Sequence, residues 1–326
     1  MKILIELPTW LGDCVMCTPA VENVIKKYQE AEITIFGSKV SCEVFRKHPN
    51  VKDVFIDNTK SKNIFKRILN IKKSAKIIGK HDLSITFRNS FFSALFLKMT
   101  KSNFRYGFSK KYRDFLLTDV CKEEGNHQVE KYNSLIDYII GKKTICGNLK
   151  IYGYKKNCLI KTIGINPGAS YGSAKRWYAE EFAKVGVEFS KNYDVLIFGG
   201  PFEIDIANDI EKYFIENNII NFKNLAGKTN ISELIQKISD LSLFITNDSG
   251  PMHVAAAFNV PTISIFGPTD YKDTCQWNNP NSVIVTENLE CSPCLKRKCP
   301  LGHHQCMKNI KAERVIEEVF KLLEKN

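Results

Sequence analysis

The chain has 326 residues, 44% of them hydrophobic and 25% charged, with a formal net charge of +12. That length predicts about two domains of ordinary size, and the composition excludes a largely disordered or collagen-like chain. The longest apolar run, residues 91–97, falls far short of the ~20 residues that cross a bilayer, and the opening stretch is broken by Glu6 and Pro8, unlike a secretory signal. A soluble, cytoplasmic protein is expected.

Residues 2–7 (KILIEL) read as a buried strand closed by Pro8, followed by a turn through Gly12 and a helix to about Tyr28. Further strands are expected at 32–36, 52–56 and 83–87, with helical stretches between them and a helix near 127–140. The pattern then restarts. Strand 161–166 ends in Pro167-Gly168, and helix 179–190 places Phe182, Val185 and Phe189 on one face. Strand 194–198, a helix to about Asn217, a helix at 231–239, strand 241–246, a short helix from Gly250 and strand 261–266 follow. A final helix carries Val315, Ile316, Val319, Phe320 and Leu323 at helical spacing. Alternation of this kind predicts α/β architecture: two doubly wound parallel sheets in tandem, which bind ligands at the strand carboxyl ends. The expected domains are 1–157 and 158–326, with the last helix a candidate to return to the first.

Charge is distributed unevenly. Residues 1–160 hold 29 Lys and Arg against 15 Asp and Glu, whereas 161–326 hold 18 against 20. The first half is therefore expected to meet something anionic: a nucleic acid, an acidic membrane surface or a phosphorylated substrate. Residues 60–80 concentrate this charge. Lys62, Lys66 and Arg67 are among eight cations interleaved with Ile64, Phe65, Ile68, Leu69 and Ile71. They read as a basic amphipathic helix, suited to a membrane face or simply to solvent.

Three segments carry chemistry. In Thr9-Trp10-Leu11-Gly12-Asp13, a carboxylate follows the first strand; it suits a general base, or else a helix N-cap. In 167–177 (PGASYGSAKRW), a loop of small residues around Ser170 precedes Lys175 and Arg176. Its amides could approach phosphate oxygens and Lys175 could add a point charge, although the Walker spacing is absent. In 246–257 (TNDSGPMHVAAA), a helix begins at Gly250-Pro251, and its N-terminus suits an anion such as a pyrophosphate. Asp248 suits sugar hydroxyls better, or a cap. Two anion-suited loops in one half point to a nucleoside diphosphate.

These segments, with 89–95 (NSFFSAL), 261–270 (PTISIFGPTD) and 299–307 (CPLGHHQCM), resemble glycosyltransferase family 9, the bacterial ADP-heptose:lipopolysaccharide heptosyltransferases. The likeness covers nearly the whole chain. It implies the GT-B fold, in which two Rossmann-like domains face across a cleft, with acceptor bound by the first domain and donor by the second. It also implies inverting heptose transfer from an ADP-activated donor to a heptosyl-Kdo-lipid A core. Asp13 matches the family's proposed base. Ser170, Lys175, Asp248, Ser249, Gly250, Pro251 and His253 match its donor site. Asn89 and Ser90, with Lys62, Lys66 and Arg67, fall to the acceptor or membrane side. No cofactor is expected, and Lys175 with the helix N-terminus could stabilise departing ADP without a metal. The implied location is the cytoplasmic face of the inner membrane, without nucleic acid as partner.

Cys291, Cys294, Cys299 and Cys306, with His303 and His304 nearby, have spacing suggestive of structural zinc, but only one C-x2-C knuckle is present and free thiols are the simpler expectation. Cys14 and Cys17 form a second C-x2-C, better explained by packing than by redox chemistry. The competing functions are another sugar-nucleotide enzyme, such as a different core heptosyltransferase or a non-hydrolysing epimerase, and a basic nucleic-acid binder with a Cys/His metal site.

Overall fold

A computed structural model describes residues 1–157 and 160–325. The chain divides into two compact units, Met1–Gly153 and Tyr154–Asn326, four residues before the expected boundary.

In the first unit, strands β1 (Lys2–Glu6), β2 (Glu32–Gly37), β3 (Val51–Ile56), β4 (Leu83–Thr86), β5 (Phe104–Phe108) and β6 (Asp119–Cys121) form one sheet. Its order is β3-β2-β1-β4-β5-β6, and every pairing is parallel. The helices are α1 (Leu11–Met16), α2 (Thr18–Lys27), α3 (Lys39–Phe45), α4 (Ile64–Ile78), α5 (Phe91–Met99) and α6 (Gln128–Ile140). β1 is central, and Ile3, Leu4 and Ile5 are completely buried. Each contributes about 1.5–3 kcal/mol relative to exposure, which explains the unbroken apolar run of a strand covered on both faces. Phe36 of β2 stacks on Phe96 of α5 with ring centroids 4.1 Å apart.

The second unit repeats the plan. Its strands are β7 (Thr162–Asn166), β8 (Asp194–Ile197), β9 (Phe222–Asn224), β10 (Leu243–Asn247), β11 (Thr262–Phe266) and β12 (Ser282–Thr286). The order β12-β11-β10-β7-β8-β9 is, strand for strand, that of the first unit. Its helices are α7 (Ala179–Ser190), α8 (Ile204–Glu216), α9 (Ile231–Ser239), α10 (Gly250–Ala257), α11 (Tyr271–Thr274), α12 (Gln305–Lys308) and α13 (Ala312–Glu324). A capping box starts α9: the Glu233 amide donates to Asn230 Oδ1, and the Asn230 amide donates to Glu233 Oε2, both at 2.9 Å. The last helix, α13, packs on α7, β11 and β12 of its own unit. Val315 and Val319 join Trp177, Phe182 and Phe214 in that unit's core.

In each sheet the first and fourth strands lie side by side, so the connections leave in opposite directions there. This switch point opens a crevice at the strand carboxyl ends. The expected strands are all present within a residue or two. β5, β6, β9 and β12 are additional. Gly12 lies inside α1 rather than in a turn before it. No helix of the described residues is long and apolar enough to cross a membrane.

Candidate active site

The crevice of the first unit holds a cavity of about 480 Å³. Residues after β1 (Thr9, Trp10, Asp13), after β3 (Thr59, Lys60) and after β4 (Asn89, Ser90) line it, together with Arg67 of α4. Asp13 occupies the first turn of α1, whose N-cap is Trp10, so it is not a capping residue. The Tyr132 phenol donates to Asp13 Oδ1 at 3.1 Å. Burial, reinforced by the Asp13 charge, pushes that phenol well above its usual range, so it stays a proton donor at neutral pH.

An ionic cluster that sequence reading did not find forms one wall. Arg88 reaches Asp57 Oδ2 at 2.6 Å and Glu6 Oε1 at 3.2 Å, and its Nε donates to Leu7 O at 2.6 Å. The Thr86 hydroxyl donates to the other Glu6 oxygen at 2.6 Å. Burial raises the Glu6 carboxyl despite the Arg88 charge. At Asp57 burial acts the same way, but hydrogen bonds from Thr59 and Arg88 overcome it and hold the group below the ordinary carboxylate range. Among the described residues, Arg88 and Arg67 each keep one buried guanidinium nitrogen without a partner. Arg67 also lies over the Phe92 ring at 3.6 Å.

Of the residues expected on the acceptor or membrane side, Asn89, Ser90 and Arg67 come together with Asp13 around this cavity. Lys62 and Lys66 do not line it and are exposed. Ser90 caps α5, accepting from the Ser93 amide at 3.1 Å, and Asn89 donates to Glu123 at 2.8 Å.

In the second unit, the loops after β7 and β10 are tied together by Asn247. Its Nδ2 donates to Pro167 O at 2.7 Å, and its Oδ1 accepts from the Trp177 amide at 3.0 Å. Asn166 does similar work, donating to Thr246 Oγ1 at 3.1 Å and Ser249 Oγ at 3.0 Å. Lys175 is bound directly to Asp248 Oδ2, and the Thr269 hydroxyl donates to the same oxygen at 2.6 Å. Lys175 also stands 4.7 Å from the Tyr171 ring centroid, with Arg297 5.3 Å from it. Ser249 is the N-cap of α10, and its side chain makes no capping bond. Asp248 therefore serves as the lysine's partner, not as a cap. Pro251 lies in the first turn, His253 is buried, and Ser170 is exposed in the loop. Gly168 has a specific requirement: a Cβ there would come 2.1 Å from the carboxyl carbon of Glu203. Asn166, Asn247, Thr269 and Glu203 were missed as contributors. Asn247 and Thr269 lie inside segments singled out in the sequence, whereas Asn166 at the end of β7 and Glu203 at the N-cap of α8 show only as polar residues.

The four clustered cysteines, with His303 and His304, surround a separate cavity of about 160 Å³. Backbone amides, that of His304 foremost, hold the Cys299 thiol below its usual range, whereas burial and the neighbouring cysteines push Cys306 up to about 11. Among the described residues, no group of three or more His, Cys, Asp or Glu is arranged to hold a metal ion. Cys14 and Cys17 are completely buried and donate to the Ser41 and Cys14 carbonyls at 3.4 and 3.1 Å, which is a packing role.

Two Rossmann-like sheets, one with a carboxylate in its crevice and the other with a lysine–aspartate pair beside a helix N-terminus, are the two halves of a GT-B type fold. The model of glycosyltransferase family 9 (heptosyltransferase) matches residues 71–305, and the chain belongs to that family. It is 44% identical to lipooligosaccharide heptosyltransferase 2 of Campylobacter jejuni subsp. jejuni serotype O:2, covering 99% of this chain and 98% of that one. It is 27% identical to lipopolysaccharide heptosyltransferase 2 of Escherichia coli K12 over 99% of both chains. The solved structure of E. coli ADP-heptose LPS heptosyltransferase II shares the fold with a TM-score of 0.84 at 24% identity, covering 100% of this chain and 99% of that one.

Proposed function

We propose that this glycosyltransferase is a heptosyltransferase II. In this reading it moves heptose from ADP-L-glycero-D-manno-heptose, with inversion, onto the heptosyl-Kdo-lipid A core of lipopolysaccharide or lipooligosaccharide. The observation that carries the reading is the 44% identity, end to end, with a lipooligosaccharide heptosyltransferase 2. The geometry agrees with it chemically. Asp13 is the base that takes the acceptor proton, and Tyr132 orients it. Arg67, which lines the cavity, brings a positive charge to the carboxylates or phosphates of an acidic core sugar. Lys175 and the N-terminus of α10 receive the diphosphate and stabilise charge on departing ADP, while Asp248 holds Lys175 in place and faces the donor sugar.

We further propose that turnover needs no metal ion, because the lysine and the helix terminus already supply positive charge where the leaving group develops its own. The enzyme would then work on the cytoplasmic face of the inner membrane, where a lipid-anchored acceptor lies. The test is mass detection of the product formed from ADP-heptose and heptosyl-Kdo-lipid A, with and without chelator. Heptose addition that survives chelation is expected. Conversion of a UDP-sugar without any acceptor would favour an epimerase instead.

A further inference from the structure

The outward face of α4 is not explained by catalysis. Ile71 and Ala75 turn inward and are buried. About a third of a turn round the helix from them, Phe65, Leu69, Lys72 and Lys76 fall at intervals of four, three and four residues, which makes one stripe along the helix. Phe65 is 76% exposed and Leu69 58%. Helix α5 lies alongside α4, and the segment 114–116 packs on α5. These neighbours add two more exposed aromatic rings, Phe91 and Phe115. Arg67 of α4 lines the Asp13 cavity from the opposite face of the helix, so this stripe is not part of that cavity. Residues 58–113 contain 15 Lys and Arg but a single carboxylate, Asp82.

We propose that this face is the surface by which the enzyme docks on an anionic lipid bilayer. Phe65, Leu69 and the neighbouring rings enter the headgroup boundary, and the lysines engage anionic headgroups. The proposal deepens the reading of a lipid-anchored acceptor and rests on it for its biological purpose. Charge alone would suit a nucleic acid equally well. Large apolar side chains held out among the lysines, on a helix whose other stripe is already buried, favour a medium with an apolar interior.

The test is co-sedimentation of the full chain with vesicles of phosphatidylethanolamine and phosphatidylglycerol, compared with phosphatidylcholine alone. Wild type is expected to partition onto the anionic vesicles. Lys72→Glu/Lys76→Glu should lower that partition by roughly tenfold or more, since each surface lysine near an anionic leaflet adds appreciably to binding. Phe65→Ser/Leu69→Ser should lower it on low-salt and high-salt vesicles alike, which a purely electrostatic contact would not. All four positions are exposed, and circular dichroism checks that the variants fold. Transfer to a delipidated, water-soluble core acceptor should be unchanged in both. Wild type that stays in the supernatant, variants that bind like wild type, or equal binding to phosphatidylcholine would overturn the proposal. So would tight binding of duplex DNA in place of vesicles. Failure of transfer to the soluble acceptor by wild type would instead remove the functional reading and leave the docking surface standing.

Discussion

Arg88 is the residue whose removal should cost the first unit most. Its guanidinium lies between Glu6 and Asp57, carboxylates whose side chains are 2% and 5% exposed. Arg88→Met keeps the volume of the stem but leaves two buried anions facing each other. Removing one partner from a buried ion pair typically costs about 3–5 kcal/mol, a large part of the ~5–15 kcal/mol that holds a domain together. The loss should be local. Hydrogen exchange read by mass spectrometry should show lost protection in β1 and β4, with β7 and β10 unchanged. The pH dependence has a definite sign. In wild type, the depressed Asp57 group contributes stability that is present above the unfolded carboxylate value of ~3.9 and is lost as pH falls through its lower folded value. In the variant, burial without a cation raises both carboxyls. The folded state then binds protons more readily than the unfolded one, so the destabilisation should shrink as pH is lowered from 7 towards 5. A loss below about 0.5 kcal/mol, within the range of ordinary surface substitutions, would refute the reasoning, as would a pH-independent loss or one shared equally by both sheets.

Lys175→Met should weaken ADP binding by about 1.5–3 kcal/mol, the range for a hydrogen bond to a charged group, or roughly 10- to 150-fold by calorimetry. Unchanged affinity would remove Lys175 from the diphosphate. Gly168→Ala should destabilise the second unit by about 1–3 kcal/mol, because the new methyl meets the Glu203 carboxyl, itself fixed by the Gly200 amide at 2.7 Å. The double variant Gly168→Ala/Glu203→Ala should recover part of that loss in thermal melts, and strict additivity would show that the two positions do not interact. Tyr132→Phe should lower kcat several-fold while leaving KM for the donor unchanged, because the phenol acts only through Asp13. An equal rise in donor KM would assign Tyr132 a different role.

The central strands were legible because a strand buried on both faces is mostly apolar, as the Ile-Leu-Ile run of β1, the Leu-Phe-Ile run of β10 and the Ile and Phe residues of β11 show. β5 carries Arg105 and Gly107 in five residues, and β6 and β9 have only three residues each, so neither propensity nor alternation marks them. β12 (SVIVT) has a good strand composition, yet it is an edge strand of mostly half-buried residues in a polar setting and was passed over. The site divides in the same way. Asp13, the 167–177 loop and the Asp248 segment stand out because each follows a strand and precedes a helix, where sheet crevices form. What the chain does not display is partnership across distance. Lys175 and Asp248 are 73 positions apart and Glu6 and Arg88 more than 80, and only the sheet order brings each pair together. For that reason Asp248 reads as a sugar ligand or cap in the sequence and emerges as the partner of a lysine in the fold.

The measurement that tests the account most directly is ADP release from ADP-heptose by wild type and Asp13→Asn, with and without heptosyl-Kdo-lipid A. The account predicts acceptor-dependent release by wild type that falls by at least ~100-fold in the variant, the lower range for a general base, with ADP affinity unchanged. Acceptor-dependent release retained in the variant would contradict the role of Asp13. Acceptor-independent release by wild type would contradict the transferase reading itself.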